Sequence, residues 1–259
     1  MIKAVFFDID GTLFEGSKGI PKSTLEDLDI LKRQGIKRVI CTGRDKNEIK
    51  VKELVDIKFD AYITTNGQIC LDDKMNIFFK SPIDKEDTKE LVKMFNKKDV
   101  PISLCNENGA YINFINDYVK EAMKNFNLPL EEIGTYKNEE LYKAMIFGER
   151  NVVDYLRINE RLKNCYPTFW NEDGMDIVPR HGGKEVGIKA YLEKENIKIE
   201  EAMAIGDSDN DIGMIKEIGI GVAMGNAIGE VKNVADYVTA NLYDDGIDKA
   251  LRHFGVIND

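Results

Sequence analysis

Residues 4–12 read Ala4-Val5-Phe6-Phe7-Asp8-Ile9-Asp10-Gly11-Thr12. A short apolar run that stops abruptly at acidic residues and a glycine has the pattern of a buried strand running out into a polar loop. On extended backbone, side chains two residues apart share a face, so Asp8 and Asp10 can look into one cleft. Open α/β sheets place their ligands beyond the carboxyl ends of their strands, where this pair lies. Gly11 permits a sharp turn, and the Thr12 hydroxyl can brace it. One carboxylate held in this way can act as a nucleophile while its neighbour moves a proton. Taken alone, the same stretch also suits an ordinary strand exit with two solvated aspartates.

The flanking sequence supports the strand. Ser23-Thr24-Leu25-Glu26 has the form of a capping box after Pro21, with Leu25, Leu28 and Leu31 at helical spacing and Gly35 as the stop. Val39-Ile40-Cys41 then runs into Thr42-Gly43-Arg44, a helix is predicted over about 46–55, and Ala61-Tyr62-Ile63-Thr64 reads as another strand. This alternation predicts an α/β fold with a doubly wound, parallel-sheet (Rossmann-like) core. After about Pro82 the rhythm loosens. Strands near 102–105 and 110–114 suggest a hairpin, with helices near 84–98, 116–126 and 151–163 and strands near 143–147 and 165–170. From Lys184 the α/β rhythm returns, with a helix over 184–196 and strands at 202–205 and 221–224. The expected organisation is a core of residues 1–82 and 184–259 with an inserted α+β cap domain over 83–183.

Composition narrows the function classes. With 43% hydrophobic and 32% charged residues the chain is ordinary for a globular protein. It has no run approaching the roughly 18–20 apolar residues that span a bilayer. The apolar run at the start is too short for a signal peptide, so a cytoplasmic protein with no membrane partner is expected. A net charge of −10 argues against nucleic acid as the main partner, and it requires something local and positive wherever an anion is to bind. Cys41, Cys70, Cys105 and Cys165 show no metal-ligand spacing and read as free, buried thiols.

A second acidic cluster, Asp207-Ser208-Asp209-Asn210-Asp211, again follows a short apolar strand. Carboxylates this crowded repel one another unless a cation sits among them, and hard oxygen donors favour Mg²⁺ over zinc. A calcium loop also begins D-x-D-x-D, but Ile212 stands at its sixth position and Ile218 at its twelfth, where glycine and glutamate belong. Lys184 opens a helix against the helix dipole, which suits a lysine with a nearby anionic partner, although a solvated surface lysine is the plainer reading. Thr42 and Gly43 could offer a hydroxyl and an amide to a phosphoryl oxygen, or simply form a turn. His181 and His253 are the only histidines, which leaves little room for histidine-based chemistry. Trp170 reads as a core aromatic or a pocket wall.

In this order and placement the motifs resemble the haloacid dehalogenase superfamily of phosphohydrolases over the full length, closest to its Cof-like, sugar-phosphate-phosphatase branch with a large α/β cap. Asp8-Ile9-Asp10-Gly11-Thr12 is similar to the first motif, Thr42-Gly43-Arg44 to the second, Lys184 to the third and Gly206 to Asp211 to the fourth. Thr65-Asn66-Gly67 and Ala223-Met224-Gly225-Asn226-Ala227 are similar to further signatures of that branch. The resemblance implies a Mg²⁺-dependent phosphatase acting on a small phosphorylated metabolite. Asp8 would be the nucleophile and Asp10 the general acid and base, with Thr42 and Lys184 holding the phosphoryl group. Asp8, the Asp10 carbonyl, Asp207 and Asp211 would form the metal shell. Gly43, Arg44 and Asn210 would lie on the substrate, and cap residues, Trp170 and Arg180 among them, would select it. A phosphomutase of the same superfamily, a phosphoryl-accepting signalling domain and a non-catalytic metal-binding protein are the competing readings. A monomer is the default.

Overall fold

The computed structural model of the chain describes residues 1–258 apart from 17, 55, 126–127, 150 and 170–173. Trp170 therefore lies outside the described residues. Strand β1 (Ala4–Phe7) leads to helix α1 (Lys22–Arg33), β2 (Lys37–Cys41), β3 (Ala61–Thr64), β4 (Ile69–Asp72) and β5 (Ile77–Lys80). Then come α2 (Lys85–Lys97), β6 (Ile102–Asn106), β7 (Gly109–Ile112), α3 (Asp117–Asn125), β8 (Lys143–Phe147), α4 (Val152–Leu156), α5 (Ile158–Arg161), β9 (Cys165–Phe169) and β10 (Gly174–Pro179). The chain closes with α6 (Lys184–Glu195), β11 (Ala202–Gly206), α7 (Ile212–Glu217), β12 (Ile220–Ala223), α8 (Gly229–Val234), β13 (Tyr237–Val238) and α9 (Gly246–His253).

Two sheets result. The larger has eight strands in the order β13-β12-β11-β1-β2-β3-β4-β5, and the smaller has five in the order β7-β6-β8-β10-β9. β1 lies between β2 and β11, parallel to both, and every residue from Ala4 to Phe7 is fully buried. Burial on both faces explains its unbroken apolar run. The polar loops after β1, β2 and β11 consequently emerge side by side. The α/β class with a parallel-sheet core is as the sequence suggests, with one difference: β4 and β5 add antiparallel to the edge of that sheet. The five-stranded sheet is antiparallel throughout.

Three local expectations fail. The capping box before α1 does not form, because Ser23 lies inside the helix and its hydroxyl donates to Asp245 at 2.7 Å. Residues 46–54 form turns rather than a helix. There the Asp45 carboxylate accepts the amides of Asn47 and Glu48, and the Glu48 carboxylate folds back onto the Asp45 amide. The Glu48 carbonyl is taken by the Arg44 guanidinium at 3.1 Å, so it does not enter a helical ladder. Helix 151–163 is likewise broken at Arg157, whose φ is 54°. All four cysteines are free and buried. Among the described residues, no helix is long and apolar enough to cross a membrane.

Candidate active site

Asp8 stands one residue beyond β1 and is 4% exposed. Lys184, the first residue of α6, is 0% exposed, and its ammonium donates to Asp8 Oδ1 and Asp211 Oδ1 at 2.6 Å each. The apparent conflict of a lysine at a helix N-terminus is thus resolved by two buried carboxylates. Burial disfavours the charged ammonium, yet Asp211 and Asp8 outweigh it and hold Lys184 above the ordinary lysine range. The second oxygen of Asp211 accepts the amides of Asp207 and Ser208 at 2.9 Å each, which fixes the turn after β11. Asp207 Oδ1 accepts the Thr12 hydroxyl at 2.9 Å, tying the loop after β11 to the loop after β1. Gly11 has φ +84°, and a Cβ on it would lie 2.3 Å from the Asp207 carboxylate, so the two loops meet only around a glycine.

One carboxylate oxygen from each of Asp8, Asp207 and Asp211 falls within 4.8 Å of the others. One buried lysine does not balance them. Burial pushes Asp8 well above the usual carboxylate range despite Lys184, and burial with the Asp211 charge pushes Asp207 up to about 7. Three close carboxylates with excess negative charge and no nitrogen or sulfur donor suit a hard divalent cation, and Mg²⁺ fits this donor set. The Asp10 side chain lies outside the cluster. Its two oxygens take a bidentate pair from Arg44, at 2.8 Å from Nε and 2.6 Å from an Nη.

Thr42 follows β2 and is 1% exposed, its Oγ1 accepting the Arg44 amide at 3.1 Å. The hydroxyl keeps its proton to donate, and Thr42 lines the cavity that Asp8, Asp10 and Asp207 also line. The Asn210 amide is engaged: it donates to Asn66 Oδ1 at 2.8 Å and accepts the Ser208 hydroxyl at 3.0 Å. Asn66 in turn donates to Asp176 at 2.7 Å, on β10 of the smaller sheet. Beside it Lys143, from β8, donates to the Gly43 carbonyl at 2.9 Å and pairs with Asp176 at 3.4 Å. A buried polar chain thereby joins the smaller sheet to the loops after β2, β3 and β11. Lys143, Asp176 and Glu48 did not stand out in the sequence. The only available signal was an isolated lysine and aspartate in otherwise apolar strands.

The cavity encloses about 370 Å³ between the two sheets. Its lining combines Asp8, Asp10, Asp207 and Thr42 with the apolar side chains of Met123, Leu128, Met145, Phe147 and Phe169. Arg180 is not among its lining residues. It is exposed and sits over the Tyr166 ring at 5.8 Å.

Comparison with known proteins identifies the family. Residues 5–251 match the haloacid dehalogenase-like hydrolase family. YkrA of Bacillus subtilis (strain 168) is 31% identical, with 98% of each chain covered. The 5-amino-6-(5-phospho-D-ribitylamino)uracil phosphatase YcsE of the same strain is also 31% identical, over 98% of this chain and 96% of its own. Among solved structures, the subclass IIB sugar phosphatase BT4131 superposes with a TM-score of 0.89 at 34% identity, covering 98% of this chain and 100% of its own. The chain belongs to the haloacid dehalogenase-like hydrolases, in their Cof-like phosphatase branch.

Proposed function

We propose that this chain is a Mg²⁺-dependent phosphatase that removes the phosphoryl group from a small phosphorylated metabolite, a sugar phosphate or similar phosphomonoester, through a phospho-aspartate on Asp8. The observation that carries this reading is the Asp8 carboxylate, fixed at 2.6 Å from Lys184 and lining the cavity beside the Thr42 hydroxyl. An oxygen of Asp8 bonds to phosphorus as the bond from phosphorus to the leaving oxygen breaks, and Asp10 gives that oxygen its proton. Asp10, then a carboxylate, takes a proton from the water that attacks phosphorus, and inorganic phosphate leaves with Asp8 restored. Arg44, paired with both oxygens of Asp10, is assigned to hold this carboxyl group in place through both proton transfers. Thr42 and Lys184 hold the phosphoryl oxygens.

Asp8, the Asp10 backbone carbonyl, Asp207 and Asp211 are assigned to hold Mg²⁺. Mg²⁺ supplies positive charge that lets a phosphate dianion approach these carboxylates and steadies charge in the transition state. Residues 1–82 and 184–259 serve as the catalytic core, and residues 83–183 as a cap that covers the leaving group. The test is release of inorganic phosphate from an aryl phosphate and a metabolite panel, with and without Mg²⁺, by wild type and Asp8→Asn. The expected result is Mg²⁺-dependent release that falls by at least about 10³-fold in the variant. Release that survives Asp8→Asn overturns the phospho-aspartate.

A further inference from the structure

Resting on the phosphatase reading above, the distribution of charge in the cavity narrows the substrate. Of the described residues lining it, the cations are Arg44 and Lys143. Both are committed. Arg44 is held by the two oxygens of Asp10 and the Glu48 carbonyl. Lys143, with its side chain 4% exposed, is held by the Gly43 carbonyl at 2.9 Å and by Asp176 at 3.4 Å. Besides Asp8, Asp10 and Asp207 the lining includes the carboxylates of Glu15, Glu48 and Asp176, and the apolar side chains of Met123, Leu128, Met145, Phe147 and Phe169, of which the first four pack as one cluster. Glu48 and Asp45 also act on Lys143 through their charge, so this lysine already faces more than one anion.

A second anion on the substrate would have to settle against carboxylates or an apolar wall, or strip Lys143 from Asp176 and leave that aspartate buried without its cation. Each course is unfavourable, because a buried charge without a partner is costly. We infer that the substrate is a phosphate monoester whose leaving group is uncharged and sets an apolar face, such as the flat of a ring, against the wall formed by Met123, Leu128, Met145 and Phe147. Bisphosphates, phosphorylated sugar acids, and nucleoside diphosphates or triphosphates are discriminated against by charge, even where they fit by volume.

The test compares two ring substrates of one shape, phenyl phosphate and 4-carboxyphenyl phosphate, with the full chain in Mg²⁺. The carboxylate should lower kcat/KM by roughly tenfold or more, the effect of one unfavourable unit charge at several ångströms in a partly buried site. Leu128→Lys, which places a cation on the half-buried edge of the wall, should restore most of that loss for 4-carboxyphenyl phosphate. Equal kcat/KM for the two substrates in the wild type overturns the inference and leaves the phosphatase reading standing. A deficit in the wild type that Leu128→Lys does not reduce also overturns it, since charge would then not be the cause. No Mg²⁺-dependent release from phenyl phosphate or any other ester overturns the phosphatase reading, and this inference with it.

Discussion

Replacing Lys184 with methionine tests the electrostatics of the site most directly. The side chain keeps its length and loses its charge, in a position that is 0% exposed and bonded at 2.6 Å to both Asp8 and Asp211. Removing one partner of a buried ion pair costs about 3–5 kcal/mol, because the charge left behind is neither solvated nor paired. For a chain of this size each kcal/mol lowers Tm by about 2–4 °C, so a fall on the order of 10 °C is expected in buffer containing a metal chelator. Mg²⁺ should then raise the Tm of Lys184→Met more than that of the wild type. The three carboxylates repel one another more strongly without the ammonium, and the cation no longer meets a positive neighbour, an interaction of about 4 kcal/mol per unit charge pair at 4 Å and a dielectric of 20. Differential scanning fluorimetry across a Mg²⁺ titration reads both quantities. A Tm within about 2 °C of wild type in chelator, or a Mg²⁺ shift confined to the wild type, would refute the argument that Lys184 balances the cluster.

Two further outcomes are expected. Burial, with the neighbouring Asp248 carboxylate, raises Asp27 from 3.8 to about 7 in the folded chain, against the charge of Arg252 and with that of Glu26. The folded state therefore holds this proton more tightly than the unfolded chain, and the stability it contributes is full below about pH 4 and lost as pH rises towards 7. Asp27→Asn should accordingly gain stability relative to wild type across that window and keep a constant lead above pH 8, read as Tm against pH. A lead that is flat from pH 4 to 8 would count against it. At the junction of the two sheets, Lys143→Met and Asp176→Leu should each cost about 3–5 kcal/mol, whereas the double variant costs less than either, because no buried charge is orphaned. Urea unfolding of the full cycle measures the coupling, and additive losses would show that the pair contributes nothing as a pair.

Much of this protein is decided locally. Four buried apolar residues followed by Asp8-Ile9-Asp10-Gly11-Thr12 specify a strand, a shared face and a turn through short-range sterics and side-chain alternation, which need no distant partner. The acidic turn from Asp207 to Asp211 is equally local, since the Asp211 carboxylate caps the amides of Asp207 and Ser208 within it. Residues 46–54 depart from the expected helix for the converse reason: Arg44 takes the Glu48 carbonyl and Glu48 takes the Asp45 amide, and propensity carries no record of such a claim. The capping box before α1 failed in the same way, with Ser23 satisfied by Asp245, 222 positions away.

What tertiary structure alone decides is which charges meet. Lys184 and Asp8 are 176 positions apart, Asn66 and Asp176 are 110 apart, and Lys143 reaches the Gly43 carbonyl across 100. Sequence periodicity reports the face a residue turns toward, but hydrogen bonds and charge pairing depend on distances of a few ångströms. The packing of the two sheets brings the loops after β2, β3 and β11 against β8 and β10. That packing turns an unremarked lysine in an apolar strand into a cation with no charge left to offer a substrate.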